Sequence, residues 1–458
     1  MTTNAARSSA VFHRKLDASL PMAVRGEGCY LVDDTGKRYL DASGGAAVSC
    51  LGHSDSRVID AVCAQLHTLP AVHTSFFTNE PMEALATYLV ERAPSGIARA
   101  LFVNEGSVAV EAALKLARQY WLERGQPQRD TIISREASYH GNTLGALAIG
   151  GNLARRRPYA PMLFSNVLRI PACNEYRCRR PDETAVAYGR RAADELDTAI
   201  IAAGPGRVCA FVAEPVVGAT AGCVTAAPGY FARIREICDR HDVLFIADEI
   251  MCGMGRTGSL FALEQEGIGA DLITVAKGLG AGYQPIGAVL VHERIVDVIR
   301  AGSATLANGH TYMGHAACCA GALAVLRAIE DDQLLDNVIA MGARLRRLLH
   351  ERLDAHPHVG DIRGRGLFLA VELVADRASR TPFDPALTLH ARIKHEAQAR
   401  GLLCYPSGGT ADGVAGDHVL FAPAYIVTGE EIDAIVDISV AALAAALSSL
   451  PDRVAQHA

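Results

Sequence analysis

Short apolar segments alternate with helical patterns through the middle of the chain. Continuous apolar runs predict strands covered on both faces at residues 100–103, 131–133, 208–213, 243–247, 272–275 and 286–291. Helical periodicity predicts helices at residues 108–124, 230–241 and 316–330. Strands and helices in this alternation predict an α/β fold with a mostly parallel sheet.

The pattern differs towards the two ends of the chain. Residues 28–41 predict two short strands around an Asp-Thr-Gly turn, and a helix follows at about residues 57–66. Beyond about residue 335, predicted helices alternate with strands at residues 367–373 and 419–421. This C-terminal pattern is typical of a smaller α+β domain.

Composition narrows the class of protein. Half of the 458 residues are apolar and 21% are charged, as in a globular protein with a large core. The formal net charge of −6 argues against a nucleic-acid-binding surface. Arginine clusters at residues 155–157, 179–180 and 190–191 are interpreted as solvated helix faces or loops.

The twelve cysteines lack the spacing of a metal site, so no metal is expected. Several lie between apolar or small residues, which favours buried thiols in a reducing compartment over disulfides. Residues 1–9 lack the apolar core of a signal peptide, and the apolar run at residues 438–450 is too short to span a membrane. We therefore expect a soluble, cytoplasmic protein without a membrane partner.

Lys277 is the most informative single residue. It lies between a short apolar strand and a glycine-rich turn, within residues 271–283. Burial at such a position lowers the pKa of an amine, and a neutral lysine can form a Schiff base with a carbonyl. The alternative is a lysine that extends from a strand end into solvent, and for Lys277 alone this alternative is the stronger one.

Two further strand ends carry groups suited to a charged, planar ligand. Gly106 and Ser107 open a helix, where their N–H groups can bind a phosphate, although Ser107 also fits a helix cap. Asp248 ends a buried strand, where it can hold a proton on a heterocyclic nitrogen or cap the next helix.

Aromatic and polar residues near the same edge add to these candidates. Tyr139 can lay its ring on a flat cofactor, whereas His140 alone fits a hydrogen-bonded core histidine better. Glu214 follows another apolar strand, and Thr311 precedes an alanine-rich helix where it can donate to an anion. For each residue alone, a capped strand end or a plain helix-entry turn explains the pattern at least as well. Together with an imine-forming lysine and an acidic partner for a ring nitrogen, these residues match the needs of pyridoxal phosphate.

The motifs resemble those of the class III (omega) aminotransferases, a fold-type I family of pyridoxal-phosphate enzymes, both in their sequences and in their order along the chain. The resemblance covers nearly the whole chain. It rests on residues 28–33, 51–53, 138–141, 248–250, 255–258, 276–280 and 428–433. It implies a large cofactor-binding domain over residues 76–330 with a seven-stranded sheet. It also implies a small α+β domain built from both chain ends, residues 1–75 and 331–458.

The resemblance assigns roles to individual residues. Lys277 forms the imine with the cofactor and then moves the substrate proton, and Asp248 keeps the pyridine nitrogen protonated. Tyr139 stacks on one face of the ring and Ile250 packs on the other. His140 and Glu214 belong to the cofactor site, with Glu214 as an acid near the ring oxygen. The cofactor phosphate is held by Gly106, Ser107 and Thr311, the last from the partner subunit of a homodimer or a tetramer.

Several positions depart from the family pattern. Val108 and Val217 replace an acidic residue and a glutamine that the family often has, and residues 55–56 depart from its commoner His-Pro. Leu420 stands where members specific for α-amino acids often carry arginine, and Ala219 where some carry glutamate. Because leucine cannot bind a carboxylate, we expect a donor whose amine is distant from any carboxylate, or an amine without one.

The expected substrate pocket includes Phe76, Phe77, Leu420 and Tyr312, although the three aromatic residues fit a core or an interface equally well.

The expected activity is a ping-pong transfer of an amino group to a keto acid such as pyruvate or 2-oxoglutarate. A decarboxylase, an aminomutase or an epimerase on the same scaffold is the alternative within the family. A non-catalytic α/β binding protein is the alternative outside it, and a nicotinamide dehydrogenase is disfavoured because no GxGxxG turn opens a βαβ unit.

Overall fold

The computed structural model describes residues 9–16 and 19–451. Its first elements are an antiparallel meander and two helices: β1 (Ala23–Glu27), β2 (Tyr30–Asp33), β3 (Arg38–Asp41), α1 (Gly44–Ala47) and α2 (Ser56–Thr68). The turn between β2 and β3 forms because Asp33 Oδ1 accepts hydrogen bonds from the backbone N–H groups of Thr35 (2.9 Å) and Lys37 (3.0 Å).

The middle of the chain forms the large domain. Its helices are α3 (Glu80–Arg92), α4 (Gly106–Glu123), α5 (Leu144–Ile149), α6 (Leu153–Arg156), α7 (Glu175–Cys178), α8 (Ala185–Ala203), α9 (Tyr230–His241), α10 (Glu293–Ala301) and α11 (Ala316–Asp331). Its strands are β4 (Ile97–Val103), β5 (Thr131–Arg135), β6 (Val167–Ile170), β7 (Val208–Ala213), β8 (Val216–Val217), β9 (Val224–Thr225), β10 (Leu244–Asp248), β11 (Leu272–Val275) and β12 (Gly287–His292). Single-turn 3-10 helices occur at Arg157–Met162, Ala262–Glu266 and Lys277–Leu279.

Seven of these strands form the central sheet, in the order β4-β12-β11-β10-β7-β5-β6. Only β12 runs antiparallel to its neighbours. The predicted α/β fold with a mostly parallel sheet is therefore confirmed. The sequence did not predict β6, because only the last residue of this edge strand is buried and Arg169 interrupts its apolar run.

The C-terminal part forms an antiparallel sheet covered by helices. The elements are α12 (Leu334–Leu353), β13 (Val359–Arg365), β14 (Phe368–Leu373), α13 (Leu389–Ala399), β15 (Leu402–Leu403), β16 (Tyr405–Gly408), β17 (Asp417–Phe421) and α14 (Gly429–Ser448), with a 3-10 turn at Pro385–Leu387. The sheet order is β13-β14-β17-β16, whereas β15 pairs in parallel with β3. The pairing of β15 with β3 confirms a small α+β domain built from both chain ends, while the boundaries after residues 75 and 330 stay predictions.

Helix α11 joins the two domains. Leu326 packs in the core beneath the central sheet, whereas Ala328 and Ile329, one helical turn away, pack in the core of the small domain. A single helix thus contributes to both cores.

Buried charges also connect the domains. Arg363, on β13, directs its Nη1 to Oε2 of the buried Glu372 at 2.5 Å and donates from Nε to the carbonyl of Gly222 in the large domain at 2.7 Å. Arg177, on α7 of the large domain, forms an ion pair with Oε1 of the same carboxylate. We call these three charged residues, Arg177, Arg363 and Glu372, the junction triad.

Within the residues that the structure describes, no helix combines the length and the apolar character needed to cross a lipid bilayer.

Candidate active site

The carboxyl ends of five strands of the central sheet meet around one cavity of about 380 Å³. The segments that follow β4, β5, β7, β10 and β11 all contribute to its wall. The structure brings together eight of the predicted site residues there: Gly106, Ser107, Tyr139, His140, Glu214, Asp248, Ile250 and Lys277. Ligands of open α/β sheets bind at this edge, so the convergence identifies the candidate site.

Lys277 is partly buried in the wall of the cavity. It opens a 3-10 turn directly after β11, with a backbone φ of +41°, which holds its side chain away from the strand. Burial lowers the pKa of its amine to about 8, and the nearby carboxylates of Asp248 and Glu214 oppose that shift only in part. A substantial share of this amine is therefore neutral, and nucleophilic, at a mildly alkaline pH.

Asp248 is the last residue of β10 and is fixed by three neighbours. Its Oδ2 lies 2.7 Å from His140 Nδ1, and its Oδ1 accepts from the backbone N–H of Ile250 at 3.1 Å and from the hydroxyl of Thr274 at 3.4 Å. His140 is buried, and among the described residues its Nε2 has no hydrogen-bond partner. His140 is thus a partner of the site carboxylate rather than the fully hydrogen-bonded core histidine that the residue alone suggested.

The turn before α4 is built for close backbone approach. A Cβ on Gly106 would lie 2.9 Å from Ile250 Cγ2, and a Cβ on Gly141 would lie 2.9 Å from Ser107 Cα. Ser107 Oγ accepts from the backbone N–H of Asn142 at 3.2 Å. Because the first N–H groups of a helix have no intrahelical acceptor, this turn presents free donors to the cavity.

Glu214 links the segment carrying Tyr139 to the end of β7. Its Oε2 accepts from the backbone N–H of Tyr139 at 3.2 Å, and its Oε1 accepts from that of Gly218 at 2.9 Å. Burial raises the pKa of Glu214, while the nearby His140 lowers it in part. These contacts fix the backbone of Tyr139, whose side chain borders the cavity.

The remaining predicted residues lie away from the cavity of this chain. Thr311 is exposed, and so are Tyr312 (59%), Phe76 (80%) and Phe77 (67%), none of which belongs to the cavity wall. Leu420 is wholly buried inside the small-domain sheet, where it pairs with Ala370 on β14 and Tyr405 on β16.

The structure adds wall residues that the sequence analysis did not select. Gln284 borders the cavity, and neither atom of its side-chain amide has a hydrogen-bond partner among the described residues. Val48 and Met251 contribute apolar surface. The position of Gln284, a few residues after the glycine-rich turn that follows Lys277, is the one signal in the sequence that could have marked it.

Comparison with known proteins places this geometry in a family. The profile of the family described as aminotransferase class-III matches residues 11–443. This chain belongs to the class III aminotransferases. The aminotransferase is 43% identical to an uncharacterized aminotransferase of Schizosaccharomyces pombe, over 97% of each chain. It is 35% identical to the hypotaurine/taurine–pyruvate aminotransferase of Paracoccus denitrificans, over 90% of this chain and 89% of that one.

A solved structure supports the same assignment. The omega transaminase of Pseudomonas jessenii in complex with PMP superposes with a TM-score of 0.87 at 35% identity, covering 94% of this chain and 93% of that one. Class III aminotransferases use pyridoxal phosphate, and this aminotransferase does so too. The predicted family, activity and cofactor are therefore confirmed. A non-catalytic binding protein, a decarboxylase, an aminomutase and an epimerase are not favoured.

The cavity fits this cofactor on its own chemistry. Gly106 and Gly141 leave room for a phosphate where any Cβ would collide with neighbouring atoms. Asp248 provides a buried carboxylate already oriented by His140, and Lys277 provides an amine with a lowered pKa. Phosphate donors, an acid for the ring nitrogen and an amine are the three things that pyridoxal phosphate requires.

Proposed function

We propose that this aminotransferase takes its amino group from an ω-amino acid or a simple amine and passes it to a keto acid by a ping-pong mechanism. One observation carries the proposal: within the described part of the chain, the wall of the cavity contains no arginine and a single lysine, Lys277. An ω-amino acid or a simple amine has no carboxylate next to its reacting amine, so this donor needs no guanidinium beside Lys277.

The apolar side of the cavity supports the same donor class. Leu420 packs in an apolar cluster with Met251, while Ala219 packs against the same cluster and borders the cavity. Apolar surface of this kind favours the hydrocarbon part of an amine. The hypotaurine/taurine–pyruvate aminotransferase, one of the relatives, supports pyruvate as the acceptor to examine first, with 2-oxoglutarate second.

Each site residue has a proposed role. When bound, pyridoxal phosphate supplies an aldehyde and a ring that withdraws electrons from the substrate carbon. Lys277 attaches to the cofactor through Nζ and afterwards uses the same atom to carry the proton of the substrate carbon. Asp248, oriented by His140, holds a proton on the ring nitrogen through its carboxylate. Glu214 keeps Tyr139 in place.

Other residues hold the cofactor in position. The N–H groups of Gly106 and Ser107 bind the phosphate, and Tyr139 and Ile250 pack on the two faces of the ring. These residues lie at strand ends and at a helix start, so they are already in position before the cofactor binds.

A donor–acceptor screen tests the substrate class. Purified enzyme is incubated with amines, ω-amino acids and α-amino acids, each with pyruvate or 2-oxoglutarate, and the new amino acid is quantified by chromatography. We expect turnover with donors that lack an adjacent carboxylate. Turnover restricted to α-amino acids would exclude the proposal. A donor added alone releases one carbonyl product per site without carbon dioxide, which separates amino transfer from decarboxylation.

We propose that the active enzyme is a homodimer, or a dimer of dimers, with shared sites. Support comes from the exposed Phe76, Phe77 and Tyr312, since large exposed aromatic side chains are enriched at interaction surfaces. In the dimer, Thr311 completes the phosphate site of the partner, and the aromatic residues border the substrate pocket.

Co-expression of two inactive variants tests the sharing. A Lys277→Ala chain and a Thr311→Asp chain are each inactive, but a mixed dimer has one intact site, so about a quarter of the wild-type activity returns. The matched control pairs Lys277→Ala with Asp248→Asn, whose defects lie on the same side of the site and leave no intact site. Equal activity in both mixtures, or none in either, would contradict shared sites.

We also propose a cytoplasmic location. The twelve cysteines are all free, and most are buried. Free thiols in this number favour a reducing compartment. Activity in the cytosolic fraction of the source cells is the expected result, and activity confined to an oxidising compartment would be contrary to it.

A further inference from the structure

The turn at residues 218–223 forms part of the cavity wall, yet its own hairpin is too short to hold it. It connects β8 and β9, which have two residues each and form a two-stranded sheet. A hairpin of this size is at most marginally stable without outside support. Within the turn, only Ala219 is partly exposed, and it borders the cavity. The position of this wall therefore depends on contacts with other elements.

Arg363 supplies such a contact from the small domain. Its Nε donates to the carbonyl of Gly222 at 2.7 Å, and its Nη2 donates to that of Ala221 at 2.5 Å. The remaining nitrogen, Nη1, forms ion pairs with Asp361 Oδ2 at 2.9 Å and Glu372 Oε2 at 2.5 Å. All three guanidinium nitrogens are thus engaged, two by the turn and one by the carboxylates.

The turn in turn supports two groups of the site. The backbone N–H of Gly218 donates to Glu214 Oε1 at 2.9 Å. Ala221 belongs to a small apolar cluster against which Ala137 packs, two residues before Tyr139. A displacement of the turn would therefore move the cavity wall and loosen the contacts that fix Glu214 and Tyr139.

The turn has little room to move while these contacts hold. A Cβ on Gly218 would collide with Met251 Sδ, and a Cβ on Gly222 would lie 2.7 Å from His418 Cγ. Met251 borders the cavity, whereas His418 lies on β17 of the small domain. The turn is thus in close contact with both the cavity wall and the small-domain sheet.

We propose that Arg363 is a positioning residue of the active site, which holds the turn at residues 218–223 in place and so sets how bulky an amine the cavity admits. Arg363 lies outside the cavity wall and acts through Ala219 and Gly218, which the turn carries. The effect on bulk rests on the proposed donor class, whereas the holding of the turn does not. The junction triad then connects the small-domain sheet to the substrate as well as to the fold.

Two variants separate this role from a contribution to stability. Arg363→Lys keeps the positive charge next to Glu372 but replaces the planar fork of donors with a single nitrogen, so the turn loses its two bonds. Glu372→Gln removes the countercharge but leaves Nε and Nη2 of Arg363 on the turn. The first variant should release the turn, whereas the second should weaken the fold with the turn in place.

The thiol of Cys223 reports on the turn without any turnover. It is fully buried at the end of the turn, and Cys238 is an equally buried thiol in the core of the large domain. Holoenzyme is labelled with N-ethylmaleimide, and peptides are quantified by mass over time. In Arg363→Lys, we expect Cys223 to be labelled at least about 10-fold faster than in the wild type, with Cys238 unchanged. In Glu372→Gln, the two thiols should keep their wild-type ratio of rates.

Either of two labelling results would overturn the proposal. One is an unchanged rate at Cys223 in Arg363→Lys, and the other is a rise at Cys223 that Cys238 matches. The second result would show that the substitution weakens the fold as a whole and does not act on the turn.

Donor selectivity tests the effect on the cavity. Propylamine and benzylamine are each titrated with pyruvate as the acceptor, and kcat and KM are determined separately. In Arg363→Lys, the ratio of kcat/KM for benzylamine to that for propylamine should rise about 10-fold, because a released wall gives way to the bulkier amine. Glu372→Gln should keep the wild-type ratio, and an equal change for both amines in Arg363→Lys would overturn the effect on bulk. If the wild type accepts neither amine, the proposed donor class fails, while the labelling still decides whether Arg363 holds the turn.

Gly222→Ala moves the turn with Arg363 intact, and it decides the question if Arg363→Lys does not fold. The added Cβ would press on His418 at a φ of +68°, so the turn must shift. Gly267→Ala is the matched control, because Gly267 has a similar φ of +67° and its Cβ would have no neighbour within 4 Å. We expect the selectivity ratio to change in Gly222→Ala and to stay at the wild-type value in Gly267→Ala. The same ratio in both variants would overturn the proposal.

Discussion

The cavity and the junction triad of this aminotransferase both contain buried charged groups, and the two regions differ in how these charges are paired. In the cavity, burial outweighs the nearby carboxylates and lowers the pKa of Lys277. At the junction, burial also disfavours the charge of Arg363, but Glu372 and Asp361 outweigh it and the pKa is raised. Incomplete pairing keeps a group reactive, whereas complete pairing keeps it charged and fixed in place.

Both regions also hold buried polar atoms without a hydrogen-bond partner in the described part of the chain, Glu372 Oε2 and Arg177 Nη2 at the junction among them. The cavity leaves His140 Nε2 and the amide of Gln284 without partners among the described residues. Both oxygens of Glu372 face guanidiniums at the junction. Buried polar atoms without partners are unfavourable in a folded protein, so these atoms in the cavity wall are consistent with a site that a ligand completes.

The largest expected effect is on the cavity side. Lys277→Ala removes both the attachment point of the cofactor and the group proposed to carry the proton, so kcat falls by at least about 10³-fold. Borohydride reduction followed by peptide mass analysis should show a pyridoxyl adduct on Lys277 in the wild type and none in the variant. An adduct of normal yield on another lysine would contradict the assignment.

A change at the junction should act on stability instead. Glu372→Gln leaves the buried Arg363 and the partly buried Arg177 without a full countercharge, which should lower the free energy of unfolding by about 3–5 kcal/mol. Urea unfolding followed by circular dichroism measures this. Arg352→Met, which breaks the exposed pair with Asp437, is the control and should change the free energy by less than about 1 kcal/mol. Similar losses in both variants would remove the distinction between the junction and an ordinary surface pair.

The lowered pKa of Lys277 predicts a pH dependence of cofactor uptake. Only the neutral amine is nucleophilic, so its share rises about 10-fold per pH unit below the pKa and levels off above about pH 8. The rate at which apoenzyme and pyridoxal phosphate develop the absorbance of the bound form measures this. Methylamine in the same buffers corrects for ionisation of the cofactor. A rate that continues to rise to pH 10 would indicate an ordinary lysine.

His418, beside the junction, is expected to have the smallest effect of these residues, and that effect is a change in how stability depends on pH. Burial, helped by Arg363 and His390, lowers its pKa to about 3, and its Nδ1 lies 2.6 Å from the Thr410 hydroxyl. The unfolded chain binds a proton near pH 6.5 but the folded chain does not, so stability is full above pH 6.5 and falls as the pH decreases towards 3.

The variant His418→Gln should remove that part of the acid sensitivity. Between pH 7.5 and 5, its free energy of unfolding should decrease by roughly 1–2 kcal/mol less than that of the wild type. The slope against pH is compared rather than the absolute value, because the substitution also changes packing. Parallel slopes would mean that His418 titrates normally in the folded protein.

The sequence was most informative where local patterns determine structure. Continuous apolar runs located β7 and β11, and the polar residues directly after them predicted Glu214 and Lys277 at the cavity. The parallel arrangement of the sheet then brings separate strand ends to one edge, so residues far apart in the chain could be expected to meet.

Tertiary partners could not be read from the chain in the same way. The ring nitrogens of His140 are distinguished only by the approach of Asp248, and the buried site of Leu420 depends on Ala370 and Tyr405 across the sheet. The sequence likewise does not show that Arg155 lies over the ring of Tyr139.

The pairing of β3 with β15 has a consequence for synthesis on the ribosome. Leu402 on β15 follows its partner Leu40 by ~360 residues. At translation rates of about 5–20 residues per second, the outer edge of β3 waits roughly 20–70 s for its neighbour. An open strand edge is a template for intermolecular pairing, so the nascent N-terminal meander is the segment most in need of chaperone protection.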